Sequence, residues 1–140
     1  MIYERIYNKL DRLGVIALIE ANTEAAKSTA SGFMDLHFDR LHDDYYYEGE
    51  TIIALAHTFE QNGDRCCDPD MMIRVWPDRK MAEALTFQQA IPPVYTEVYP
   101  EPGKVNPRAK KDLNSFLDTW LRNAIAQGHG FRDAAKGGQQ

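Results

Sequence analysis

The sequence predicts an α+β fold: an antiparallel meander sheet of four or five strands, with an N-terminal and a C-terminal helix packed on one face. Three features support it: alternating stretches in mid-chain, short polar connections between them, and apolar residues at helical spacing near both ends. A strand sends successive side chains to opposite faces, whereas a helix aligns residues three and four apart. Short connections favour antiparallel neighbours. The 140 residues suffice for one domain with a hydrophobic core.

The N-terminal helix is indicated by apolar residues at helical spacing, among them Ile6 and Leu10, with Gly14 as a stop signal. The next apolar run, residues 15–19, either adds a second helical segment or fills an edge of the core, and the sequence does not decide between the two. Residues 21–32 are rich in Ala, Ser and Thr without periodicity, which predicts a loop.

The C-terminal helix has the strongest local signals. Asn106 can cap it, Pro107 suits its first turn, and Gly128 is expected to end it. Its apolar stripe consists of Leu113, Phe116, Leu117, Trp120, Leu121 and Ile125. We therefore place a single domain at residues 1–128 and expect residues 129–140 to form a flexible tail.

The strands are predicted at 33–41, 51–59, 71–76 and 81–88, with 94–99 as an edge strand between prolines. In the first strand Leu36 and Phe38 face one way, and Asp35, His37 and Asp39 face the other. That alternation is typical of a half-buried antiparallel strand with a wet outer face.

The second strand has two unlike faces. Ile53, Leu55 and His57 are bulky, so we expect them to face the core, with His57 buried and hydrogen-bonded. Ala54 and Ala56 make the opposite face small enough to lie flat against another surface.

A polar connection, residues 60–70, joins the two central strands in this prediction and holds four acids and two adjacent cysteines. Asn62-Gly63 is a strong turn signal, because both residues tolerate positive φ.

Exposed tyrosines offer large contact area at low entropic cost, so we expect a binding surface. Its candidate residues are Glu60, Asn62, Asp64, Asp68 and Asp70 of the connection, the run Tyr45, Tyr46 and Tyr47, and Arg122 of the C-terminal helix.

Catalytic and metal chemistry have weaker support in the sequence. The row Asp35, His37 and Asp39 has metal-ligating side chains, but it also reads as an ordinary solvated strand face. The acids beside Cys66 and Cys67 oppose formation of a thiolate nucleophile. We assign no catalytic residue, no metal site and no cofactor.

Composition restricts the classes of partner. The net charge of −5 argues against direct nucleic-acid binding, which depends on clustered Lys and Arg. No apolar run reaches the roughly 20 residues that span a bilayer, and the charged N-terminus does not resemble a signal peptide. We expect a cytoplasmic protein with reduced cysteines and no membrane partner.

Four stretches of the chain follow one another as AHTFEQNGDRCCDPDMMIRV, LTFQQ, VYTEVY and NPRAKKDLNSFLDTWLRNAIAQG. Together they resemble an uncharacterised bacterial domain family encoded on plasmids, integrative elements and phages. The last stretch is also similar to the C-terminal segment of YqiB-like proteins. The resemblance covers residues 56–128 and departs from the family pattern at Cys66, Cys67 and Phe87. It implies a family and a genetic setting, and no activity.

The leading hypothesis is a non-enzymatic accessory or protein-interaction module of a mobile genetic element. Its partner is expected to be a protein, and a homodimer is compatible with the sequence. The alternative is an acidic inhibitor or nucleic-acid mimic of the counter-defence type, which predicts carboxylates gathered on one face. A metal-dependent hydrolase using the acidic 60–70 connection ranks third.

Overall fold

The computed structural model describes residues 1–41, 50–90 and 93–131, apart from the side chains of residues 60, 61 and 65. Its helices are α1 (Ile2–Leu13), α2 (Val15–Glu20) and α3 (Pro107–Gln127). Its strands are β1 (Ala25–Ser28), β2 (Asp35–Leu41), β3 (Thr51–Gln61), β4 (Asp64–Trp76), β5 (Met81–Ala84), β6 (Thr86–Gln89) and β7 (Val94–Glu97). The tyrosine run 45–47 lies outside the described residues.

Every strand pair within the described ranges is antiparallel, in the order β1-β2-β3-β4-β6-β7, and β5 also pairs with β4. The α+β class is therefore confirmed, but the described residues form seven strands where four or five were expected. One of the additional strands is β1, which lies in the predicted loop 21–32. The other arises because the predicted strand 81–88 is interrupted at Leu85.

The predicted 60–70 connection is wrong. Strands β3 and β4 continue to a two-residue turn at Asn62 and Gly63, where φ is 55° and 86°. Two consecutive positive φ values belong to the turn whose twist matches a hairpin, so this turn signal overrides the polar composition around it. Pro69 lies at a register shift between the strands, a position where a missing amide hydrogen is tolerated.

One face of the sheet packs against the three helices of the described part of the chain. Leu36, Phe38, Ile53, Leu55 and Met71 are at most 1% exposed and share one core with apolar side chains of α1, α2 and α3. The undecided run 15–19 is thus helical and contributes to this core. We call this the helix face of the sheet, and the opposite one the outer face.

The last helix begins and ends as predicted. The Asn106 side chain accepts a hydrogen bond of 3.1 Å from the Ala109 amide, and Gly128 ends α3 with φ 98°. Phe116 departs from the predicted buried stripe, because its side chain is 39% exposed.

Residues 129–131, expected to belong to a flexible tail, pack into the domain instead. The Phe131 amide donates a 2.7 Å hydrogen bond to the Leu13 carbonyl, and the Phe131 ring lies 6.3 Å from that of Phe38. His129 is also buried. The chain therefore returns to the end of α1 after α3, and residues 132–140 lie outside the described part.

Candidate functional site

The outer face carries a groove along β3. Its floor consists of the small side chains Ala54, Ala56 and Thr58, because alternate positions of a strand share one face. Register places Asp39 beside Ala54, and Asp70 beside Ala56 on the other flank. We call this the β3 groove. Larger side chains of β2 and β4 form its two walls.

The groove opens at one end into a cleft of about 680 Å³, here called the Phe33 cleft. The connection between β1 and β2 forms part of it and leaves Phe33 51% and Met34 41% exposed. The remaining lining includes the ring of Phe59 and the polar side chains of Lys27, Asp35, His37 and Thr58. Its volume falls within the range of ligand-binding pockets, which is about 300–1,000 Å³.

The opposite end of the groove is apolar. Ile52 and Leu85 are at most 2% exposed there and form a small cluster of their own, against which Leu41, Met72 and Tyr99 pack. Arg74 pairs with Ile52 in the register and forms ion pairs with Glu50 and Glu83 beside this cluster.

Asp39 and Asp70 are close enough across the groove to repel each other. The pKa of Asp70 is raised, first by burial of its carboxyl group and then by the negative charge of Asp39. Such a shift means that the ionised form is held at a cost in stability. These two carboxylates flank a floor of alanines, and a cation from a binding partner would relieve the repulsion between them.

The described members of the predicted site are distributed over separate parts of the fold. Asn62 lies exposed at the β3–β4 turn, and Arg122 lies exposed on α3. Asp64 and Asp68 belong to β4 near that turn, and Asp70 lines the groove. Glu60 belongs to β3, its side chain not described, and Tyr45, Tyr46 and Tyr47 lie outside the described residues. Among the members of this set whose side chains are described, Asp70 is the one that the register places at the groove.

Sequence reasoning missed the cleft because its residues come from separate segments. Lys27 occupies β1, which was predicted as loop, whereas Phe33 was predicted to begin a strand and lies in the connection before β2. Their position next to Thr58 was therefore not foreseeable. The small side chains at alternate positions of β3 were the sequence signal that could have indicated the groove.

His57 is buried and hydrogen-bonded, as predicted. The Trp120 indole donates to His57 Nδ1 at 3.0 Å, and the ring of His129 lies 5.6 Å from that of His57. Burial first, and then proximity to His129, lowers the pKa of His57 to about 4. His129 Nδ1 is 2.9 Å from Ser28 Oγ, which also accepts from the Gly130 amide. This cluster attaches the segment after α3 to β1 and β3.

A second polar cluster, unforeseen from sequence, surrounds Glu83 on β5. Its carboxylate, with a side chain only 3% exposed, accepts from Arg74 at 3.1 Å, from Lys110 at 2.8 Å and from the Tyr99 hydroxyl. Burial opposes the charged form of Lys110, but its bonds to Glu83 and Tyr99 outweigh that effect and raise its pKa. The sequence signal was a single acid between the small apolar residues Ala82 and Ala84.

Two further observations limit the chemistry. Within residues 1–41, 50–90 and 93–131, no three His, Cys, Asp or Glu side chains are placed to hold a metal ion together. Among the helices described, none is long and apolar enough to cross a membrane.

Comparison with known proteins gives a family and no activity. Residues 3–130 match the family described as Domain of unknown function (DUF6908). No curated protein and no solved structure matches the chain. Because the match spans nearly the whole described fold, from α1 through the segment that follows α3, the chain belongs to the DUF6908 family.

Proposed function

We propose that this domain is a non-enzymatic protein-interaction module and that the outer face of its sheet is the contact surface. The observation that carries the proposal is the asymmetry of the two faces. Helices bury one face, whereas the other presents a groove with a small floor that ends in a cleft beside the exposed Phe33 and Met34. Apolar anchors beside a pocket are typical of binding hot spots.

The polar clusters support a non-enzymatic role. The pair formed by Ser28 and His129 has the residue types of a nucleophile and its base, but the two residues are only 3% and 7% exposed. A substrate would not reach them. The Glu83 carboxylate is likewise buried and already accepts from three donors. Both arrangements are those of groups that stabilise a fold.

The genetic setting and the cellular compartment belong to the same proposal. The resemblance to domains encoded on plasmids, integrative elements and phages supports a role as an accessory protein of a mobile genetic element. Two adjacent cysteines, Cys66 and Cys67, do not make a disulfide framework, which supports a reducing compartment such as the cytoplasm.

The acidic-mimic alternative has less support. The described acids lie on α1, on α3, near the β3–β4 turn and on the outer face, so they are not gathered on one face. The hydrolase alternative lacks a described set of metal ligands, as noted above.

The test is affinity capture from the native host with a matched pair of variants. Ala54→Arg places a long side chain on the groove floor, and Ala126→Arg makes the same change on the exposed side of α3. We expect partners identified by quantitative mass spectrometry to be lost with Ala54→Arg and retained with Ala126→Arg, with both variants folded by circular dichroism. Identical partner sets for the two variants, or no partner of the parent protein, would contradict the proposal.

A further inference from the structure

The charges around the groove and cleft restrict what can bind there. In the middle of the groove and in the cleft, Asp35, Asp39 and Asp70 contribute three carboxylates, against one ammonium group from Lys27. At the other end, Arg74 is already paired with Glu50 and Glu83. The whole chain is also acidic, with a net charge of −5. Complementarity of charge steers binding partners and excludes those of like charge. A basic partner fits this surface, whereas nucleic acid or an acidic peptide does not.

The cleft adds an apolar requirement. Phe33, Met34 and Phe59 line it together with polar groups, and it is large enough for a bulky side chain with its neighbouring backbone. The first two are also more than 40% exposed, so covering them would remove apolar surface from water.

Strand β3 fixes the distance between the Asp39–Asp70 pair and the Phe33 cleft. Ala54, beside Asp39, and Thr58, in the cleft, are four residues apart on one strand, which corresponds to about 13 Å. An extended peptide has the same rise per residue, and its alternate side chains face the surface on which it lies. Two side chains spaced at i and i+4 would therefore reach both features at once.

We propose that the partner segment is an extended basic peptide of a protein, lying along the β3 groove. Its Lys or Arg side chain lies between Asp39 and Asp70, and a bulky apolar residue four positions away fills the Phe33 cleft. This inference rests on the proposed function and adds the chemistry of the partner. Relief of the repulsion between the two carboxylates, described above for Asp70, is consistent with it.

The experiment is a selection with the full chain as bait and displayed random peptides of about nine residues, enough to span the groove at about 3.3 Å per residue. We expect the enriched peptides to combine Lys or Arg with Leu, Ile, Met or an aromatic residue at a spacing of four. Enrichment of acidic or uncharged peptides, or no enrichment, would overturn the inference.

Variants then locate the binding. The double variant Asp39→Asn/Asp70→Asn should weaken an enriched peptide about tenfold and reduce the salt dependence of its affinity. The control Asp78→Asn/Asp112→Asn alters the net charge equally at exposed positions outside the groove and should bind as the parent protein does. Phe33→Ser should also weaken binding. Equal affinity of the two double variants would overturn the inference.

Two outcomes separate this inference from the proposed function. If Ala54→Arg loses native partners but the enriched peptides are not basic, the contact surface stands and the partner chemistry is wrong. If the chain self-associates in light scattering and Asp39→Asn/Asp70→Asn abolishes this, the occupant is a second copy of the chain, and the basic-peptide inference fails.

Discussion

Replacing His57 with Gln should remove much of the domain's sensitivity to mild acid. The ordinary pKa of the imidazole is 6.5, and in the fold it falls to about 4, chiefly because the ring is buried and also because His129 is near. The unfolded chain therefore binds a proton more readily than the folded one between these values. Stability is intact above pH 6.5 and is lost as pH falls.

The magnitude follows from the shift. At about 1.4 kcal/mol per pKa unit, His57 alone should lower the free energy of unfolding by about 2 kcal/mol at pH 5 and by about 3 kcal/mol near pH 4. Gln does not titrate in this range, and its side-chain oxygen can still accept a hydrogen bond from Trp120. The variant can start from a lower stability at pH 8, so the quantity to compare is the change in the free energy of unfolding per pH unit.

Urea unfolding followed by tryptophan fluorescence, from pH 8 to pH 5, measures that slope. Asn123→Gln is the control, because it changes no titratable group at an exposed position of α3 and should keep the parent slope. A His57→Gln variant that loses stability with acid as steeply as the parent protein would refute the reasoning.

Three further variants test the packing and the groove. Glu83→Gln should lower the free energy of unfolding by about 2–3 kcal/mol, because it leaves partly buried cations without their carboxylate; the exposed Glu101→Gln should be neutral by the same urea assay. Gly128→Ala should cost about 1 kcal/mol, since φ there is +98°, whereas Gly130→Ala, with equal space around it and no positive φ, should change the thermal midpoint little. Asp70→Asn should raise stability at pH 7 by less than about 1 kcal/mol, and an unchanged or lower urea midpoint would contradict the repulsion described for this carboxyl.

Features determined by neighbouring residues were predictable from the sequence. The cap at Asn106, the stop at Gly128 and the turn at Asn62-Gly63 each depend on the backbone preferences of a few adjacent positions. The inward faces of β2 and β3 were also confirmed, because period-two alternation needs no knowledge of the partner strand.

Features determined by pairing were not predictable. Strand β1 has only four residues and no alternation, and its strand conformation depends on hydrogen bonds with β2. The place of Asp70 depends on the register shift near Pro69. Through that irregularity Cys67 pairs with Thr58 and Asp70 with Ala56, so residues an odd number apart come to the same face. The groove wall therefore follows from a non-local feature that composition does not reveal.

Two buried or partly buried carboxylates of the sheet differ in their partners, and this difference bears on function. Glu83, which Lys110 of α3 contacts, is matched by three donors, and its replacement should lower stability. Asp70, on the outer face, is partly buried near another carboxylate, and its replacement should raise stability. A group that lowers the stability of its own fold is typical of a surface adapted to something other than folding. If so, Asp70→Asn should make the domain more stable and, within the double variant, contribute to weaker binding of basic peptides. Replacing a carboxylate with a purely structural role would not raise stability and weaken peptide binding at the same time.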